Sequence, residues 1–233
     1  MTNVLRVVLD EEKLRLYEYI AEVTADEVPT ATVKKVKTLR FLTLDIVAGS
    51  DEDVAKIKRI VSESAYIFWK YDYFSKNIRL SRDLGLSYYC LMGAILAVSA
   101  EEEIETIGGI IKNSRLLNLA GIENFRMDRL YEDWECLADI FNRLIASDRK
   151  ASIADLALYF LTLDAEASAV VTVTRDPSVV TVDGVKRTVP RLADSVEQNT
   201  MLFALYNRPT TVNVKDTSVL SEEFVRVIRK LGE

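Results

Sequence analysis

Residues Leu84 to Ala100 run for 17 positions without a charged side chain, and this stretch limits the available folds more than any other. As one α-helix it would be about 25 Å long, short of the roughly 30 Å of a bilayer's hydrocarbon core. It also carries Gly85, Ser87, Tyr88, Tyr89, Gly93 and Ser99. We therefore expect a helix buried on every side by other elements and no membrane span.

A helix of that kind needs partners, and the chain supplies them. Leu14, Leu16, Tyr17, Ile20 and Val23 recur at a helical period. Ser50-Asp51-Glu52-Asp53 has the spacing of a capping box and precedes an apolar face of Val54, Ile57, Val61, Ala65 and Phe68. Ser99-Ala100-Glu101-Glu102 opens a short acidic helix. The stripe Met127, Leu130, Trp134, Leu137, Phe141, Leu144 predicts one continuous helix from Ile122 to Ala146. Further helix starts stand at Ser152, Asp194-Ser195 and Ser221, the first predicting a helix to about Thr162.

Strand patterns are confined to the two ends. Asn3 to Leu9 reads as a strand. Thr32 to Val47 reads as one long strand or a hairpin, with a change of phase near Leu39 to Leu42 that predicts a bulge. Ala169 to Thr174 and Thr210 to Val214 are β-like, and Asp183-Gly184 between Val-rich flanks predicts a type I′ hairpin. The fold class is α+β: a small mixed or antiparallel sheet from the N- and C-terminal segments, with a large central helical block. The segments are 1–49 (β-α-β), 50–165 (helical) and 166–233 (hairpin, helix, strand, helix). With no linker between them, one cooperative structure is expected, the terminal strands sharing a sheet.

Composition then limits the chemistry. The chain of 233 residues has no histidine, which removes Ser–His and Cys–His nucleophile pairs and the commonest metal ligand. Its two cysteines, Cys90 and Cys136, fall in apolar patterns and read as buried thiols of a reducing compartment. No phosphate-binding glycine loop is present. The acidic runs Asp51 to Asp53 and Glu101 to Glu103 sit at helix starts, where consecutive side chains diverge and the carboxylates suit the helix dipole. No catalytic residue, cofactor or metal is assigned.

Three surface patterns remain. Asp128, Glu132, Glu135 and Asp139 are spaced 4, 3 and 4 and line one helix face, as a solvated face or as a strip for a basic partner. Tyr66, Trp69, Tyr73, Lys70 and Arg79 form an aromatic and basic segment that reads first as core or interface and second as a stacking surface for single-stranded nucleic acid. Lys34, Lys35, Lys37 and Arg40 read as the guard of an edge strand. A net charge of −6 argues against a general nucleic-acid binder.

The run Glu123-Asn124-Phe125-Arg126-Met127-Asp128-Arg129-Leu130-Tyr131, its continuation through Trp134, and Ala154-Asp155-Leu156-Ala157-Leu158-Tyr159-Phe160 are followed by Val170-Val171-Thr172-Val173. With Leu202 to Ala204 and Arg208-Pro209-Thr210-Thr211-Val212-Asn213-Val214, this order resembles the YtxC family of sporulation proteins. The likeness covers residues 122–232. It implies a cytoplasmic protein of a spore-forming Gram-positive bacterium and assigns no catalytic residue. Phe125 is expected to be a buried ring and Arg126 an exposed charge.

Together these readings favour a non-catalytic cytoplasmic interaction or regulatory protein, possessing a protein partner or forming a homo-oligomer. A nucleic-acid-binding protein using residues 66–82 stands second, and a histidine-independent enzyme built on carboxylate, Lys or Tyr third. On the first reading, reversing Glu132 and Glu135 to Lys abolishes partner capture in a pull-down while far-UV circular dichroism is unchanged. Capture that survives the reversal sinks the role of the strip.

Overall fold

The computed structural model describes residues 3–80, 84–147, 157, 169–174, 176–215, 218 and 220–231. The chain divides into two compact units, one of Met1–Asp72 with Glu101–Glu135 and one of Tyr73–Ala100 with Cys136–Glu233. Both units are thus discontinuous, and their boundaries cut through the segment 50–165 expected to be one helical block.

The first unit begins with β1 (Asn3–Asp10), a 3-10 turn at Glu11–Lys13 and α1 (Leu14–Glu27). The hairpin β2 (Thr32–Lys37) and β3 (Phe41–Ala48) follows, then α2 (Asp51–Asn77). The sheet order is β2-β3-β1-β4, where β4 is Leu116–Asn118. β1 is antiparallel to β3 and parallel to β4. Leu5, Val7 and Leu9 pair with Ile46, Leu44 and Leu42, and all six are buried. Leu16, Tyr17, Ile20, Ala21 and Val23 of α1 are buried too. Alternation on the strands and the 3.6-residue period on α1 thus each yield one apolar face.

The change of phase near Leu39 is a turn, not a bulge. Thr38 N–H donates to Phe41 O at 2.9 Å, and the Thr38 hydroxyl accepts from Phe41 N–H at 3.1 Å. The β2–β3 register runs without a shift. β2 is an edge strand whose Lys35 and Lys37 both reach Glu18 of α1, Lys37 at 3.0 Å. Lys35, then Lys37, hold the Glu18 carboxyl below its usual value against the opposing effect of burial.

The second unit contains α3 (Leu86–Ala97) from the uncharged stretch. Eleven of its residues are buried, and among the described residues no helix is long and apolar enough to cross a membrane. The strands β5 (Ala169–Val173), β6 (Val179–Val182), β7 (Val185–Thr188) and β8 (Pro209–Val214) form a second sheet in the order β7-β6-β5-β8. Its β6–β7 turn has Asp183 at φ 49° and Gly184 at φ 84°, the two positive angles that a type I′ turn requires.

Between β7 and β8 lies α7 (Val196–Tyr206), and α8 (Glu222–Leu231) closes the unit. Ser195 and Gln198 complete a reciprocal capping box at the start of α7. The helix expected from Ser152 to Thr162 lies outside the described residues except for Ala157, which is helical and buried.

The fold is α+β, but the terminal strands do not share a sheet. β1 is paired on both sides within its own sheet, by β3 and by the three-residue β4. β5 likewise lies between β6 and β8, so neither central strand has a free side.

Gly93 sets the approach of α3 to α7. A Cβ placed there would stand 2.4 Å from Leu202 O and 2.7 Å from Leu205 Cβ. Gly93→Ala forces the helices apart and is expected to cost about 3 kcal/mol, measured by urea denaturation. A cost under about 0.5 kcal/mol, the usual size at an unconstrained surface site, would refute this packing role.

Candidate functional site

Two arrangements in the first unit concern function, and both are built on α2 and α4 (Ala100–Ile111). The N-terminal end of α2 is fixed by Ser50, whose hydroxyl accepts from Asp53 N–H at 3.1 Å. The partner of the capping box is engaged elsewhere, since the Asp53 carboxylate accepts from the Thr30 hydroxyl at 3.0 Å. Lys58 Nζ donates to Lys112 O, the Ser62 hydroxyl lies 3.6 Å from where a Gly108 Cβ would stand, and Lys70 meets Glu103. These three contacts run in opposite directions along the two helices, so α2 and α4 are antiparallel.

The Lys70 contact is buried. Its side chain is 0% exposed, and Nζ lies 3.0 Å from Glu103 Oε2, 3.2 Å from Oε1 and 3.0 Å from the Tyr66 hydroxyl. The indole N–H of Trp134, on α6 (Asp128–Ser147), donates to Glu103 Oε2 at 2.8 Å. Three helices thus meet on one carboxylate. Burial pushes the Glu103 carboxyl above its ordinary value, while Lys70 and Trp134 oppose that rise and Asp133 adds to it. An ammonium and a carboxylate taken out of water need each other and further hydrogen bonds to remain charged, which Tyr66 and Trp134 provide.

Along the N-terminal part of α2, residues of the same two helices line a groove of about 530 Å³. Its lining includes the small and apolar residues Val54, Ala55, Ser62, Ile104 and Gly108. Its rim bears charges of both signs, Lys58, Arg59 and Lys112 against Asp51, Glu101 and Glu105. Arg59 and Glu101 form a loose surface pair at 3.8 Å. Burial, and secondarily the nearby Arg115, lowers the pKa of Lys58.

The expected site residues divide sharply. Asp128, Glu132, Glu135 and Asp139 are all exposed on α6, as their spacing requires. The aromatic and basic segment does not form a stacking surface. Tyr66, Trp69 and Lys70 are buried, Tyr73 is half-buried, and Arg79 alone of the five is exposed. A ring without an open face cannot receive a base. Cys90 is buried, its thiol pushed up to about 12, but Cys136 is exposed. The long helix expected from Ile122 breaks into α5 (Leu119–Phe125) and α6. Phe125 is exposed, contrary to the expectation of a buried ring, because helical spacing sets it opposite the stripe of Met127, Leu130 and Trp134.

Glu103 was legible only as a helix-start carboxylate. Its second signal is positional, for Glu103, Ile107 and Ile111 fall four residues apart on the face that the core takes. Lys70 lies between Tyr66 and Phe74 by the same spacing. A charge at a core position on each of two helices is the pattern of a buried pair. Among the described residues no group of three His, Cys, Asp or Glu side chains is placed to hold a metal ion. No protein-family profile, curated protein or solved structure matches the chain.

Lys70→Met alone, leaving Glu103 buried without its countercharge, is expected to cost about 3–5 kcal/mol, and Lys70→Met with Glu103→Leu to recover most of it. Denaturant titration of the single and double variants checks this. The pH dependence has a definite sign. A carboxyl whose folded pKa lies above its unfolded one contributes stability below the ordinary carboxylate range and loses it as pH rises through the elevated value. The stability of the wild type relative to Glu103→Gln should therefore fall with rising pH across that window.

Proposed function

We propose that this is a non-catalytic interaction protein that receives a helical segment of a protein partner in the groove between α2 and α4. The observation that carries the reading is the groove itself. A lining with the small residues Ala55, Ser62 and Gly108 admits the close approach of a helix, whose apolar stripe would cover Val54 and Ile104. Its two-signed rim favours a helix with charges of both signs beside that stripe, and disfavours a uniformly charged one.

The acidic strip on α6 supports the same class of function. Asp128, Glu132, Glu135 and Asp139 are exposed, so a basic partner surface can meet them. The resemblance of residues 122–232 to the YtxC family supports a cytoplasmic setting and a sporulation-associated role. The burial of Tyr66, Trp69 and Lys70 removes the main support for nucleic-acid binding.

The test fills the groove. Ala55→Trp and Gly108→Leu each enlarge the lining without touching Lys70 or Glu103. Tagged wild-type and variant chains are used to capture partners from nuclease-treated lysate of the source cell, and the wild-type partner is identified by mass spectrometry and then titrated as a purified protein. Both fillings should weaken its binding about tenfold or more, equivalent to 1.4 kcal/mol. Equal affinity for wild type and both variants overturns the groove as the docking site.

A further inference from the structure

We propose that β8 pairs edge to edge with β8 of a second copy of this chain, across a two-fold axis at Asn213. The sheet edges are β2 and β4 in the first unit and β7 and β8 in the second. Unpaired backbone along an edge is a template for another strand, and charge or short length is what blunts it. β2 carries Lys34, Lys35 and Lys37, β7 carries Lys186 and Arg187, and β4 has three residues. β8 runs for six residues, Pro209-Thr210-Thr211-Val212-Asn213-Val214, without a charge. Its proline is the first residue, where it obstructs no pairing.

The backbone and side chains of β8 identify the occupant. Lys215 N–H donates to Val173 O at 3.0 Å. By the alternation along a parallel ladder, the N–H and C=O of Thr211 and Asn213 then face β5, and those of Val212 and Val214 face away. Among the described residues no hydrogen bond is formed on that outer side. The side chains of Val212 and Val214 share a face of the sheet with the buried Val171 and Val173, yet are themselves only half-buried. A two-fold axis through Asn213, normal to the sheet, sets Val212 of each copy against Val214 of the other. Each such pair exchanges two N–H···O bonds, and the half-covered valines cover one another. Asn213 is exposed and then faces its own symmetry mate. A carboxamide both donates and accepts, so this pair is its own complement, as an isologous contact requires. Lys215, just past the strand, falls opposite Thr211 of the other copy, and Arg208, just before it, donates to Ala97 O. No two like charges of the strand or its flanks thus stand opposite each other. A strand of another protein would need a sequence matched to this edge, whereas a second copy brings the match with it. The pairing is independent of the α2–α4 groove and stands or falls without it.

Sedimentation velocity on the full chain, from sub-micromolar to high-micromolar concentration, tests the pairing. The wild type should pass from monomer to dimer as concentration rises. Val212→Pro removes an N–H that β5 does not use, and Asn213→Lys sets like charges together at the axis. Each should raise the dissociation constant of the dimer about tenfold or more, with unchanged circular dichroism. Cross-linking reads the register. Residues directly opposite in a non-hydrogen-bonded pair have Cα atoms about 4.5 Å apart, within disulfide reach. In a Cys136→Ser background, Asn213→Cys should therefore give a covalent dimer under mild oxidation, and Lys186→Cys on the edge of β7 should not. A chain that is monomeric at every concentration overturns the proposal. So does a dimer indifferent to both Val212→Pro and Asn213→Lys, or one that Asn213→Cys cross-links no faster than Lys186→Cys.

Discussion

A lysine ammonium with no exposure to water is held in the first unit by a glutamate, a tyrosine hydroxyl and, through the glutamate, an indole N–H. Remove any one helix and a charge or a polar group is stranded in an apolar interior, which costs more than the contact itself is worth. The rest of the unit follows from this requirement. α2 and α4 must run side by side and α6 must bring Trp134 to them. The register between α2 and α4 is set by the one place where Lys70 meets Glu103. With that register fixed, Ser62 falls opposite Gly108 and Lys58 reaches the C-terminal carbonyl at Lys112. The groove is the part of the same helix pair that large side chains do not fill.

The second unit solves the opposite problem. Its helix α3 has no charged side chain, and close packing against α7 sets its approach. Gly93 lets the α7 backbone approach to a distance that even one methyl group would prevent. Polar fixation is moved to the ends of the elements. Asn199 accepts from Leu192 and Ala193 N–H at 2.8 and 2.6 Å, and Arg208 donates to Ala97 O at the end of α3. One unit is specified by a buried charge pair and the other by a missing side chain.

Much of this was legible beforehand because it depends on neighbours in sequence. The hairpin at Asp183-Gly184, the caps at Ser50 and Ser195, the exposed acidic face of α6 and the buried helix at Leu86 to Ala97 all follow from local spacing. What was misread depended on residues far apart. Leu39 is a loop tip because Thr38 and Phe41 bond across a turn. β4 has three residues and little pattern of its own; β1 defines it as a strand by pairing with it. Phe125, by contrast, stands by helical spacing on the side opposite Met127, Leu130 and Trp134, and it is exposed.

The sequence by itself determined the α+β class, the position of most elements and the exclusion of histidine chemistry, because periodicity, capping and composition act within a few residues. Only the tertiary structure decided that the strands form two sheets and that Lys70 and Glu103 are partners. Each of those outcomes turns on a contact between residues distant in the chain. Whether a side chain of a given type is core or surface is settled by what the other helices leave uncovered.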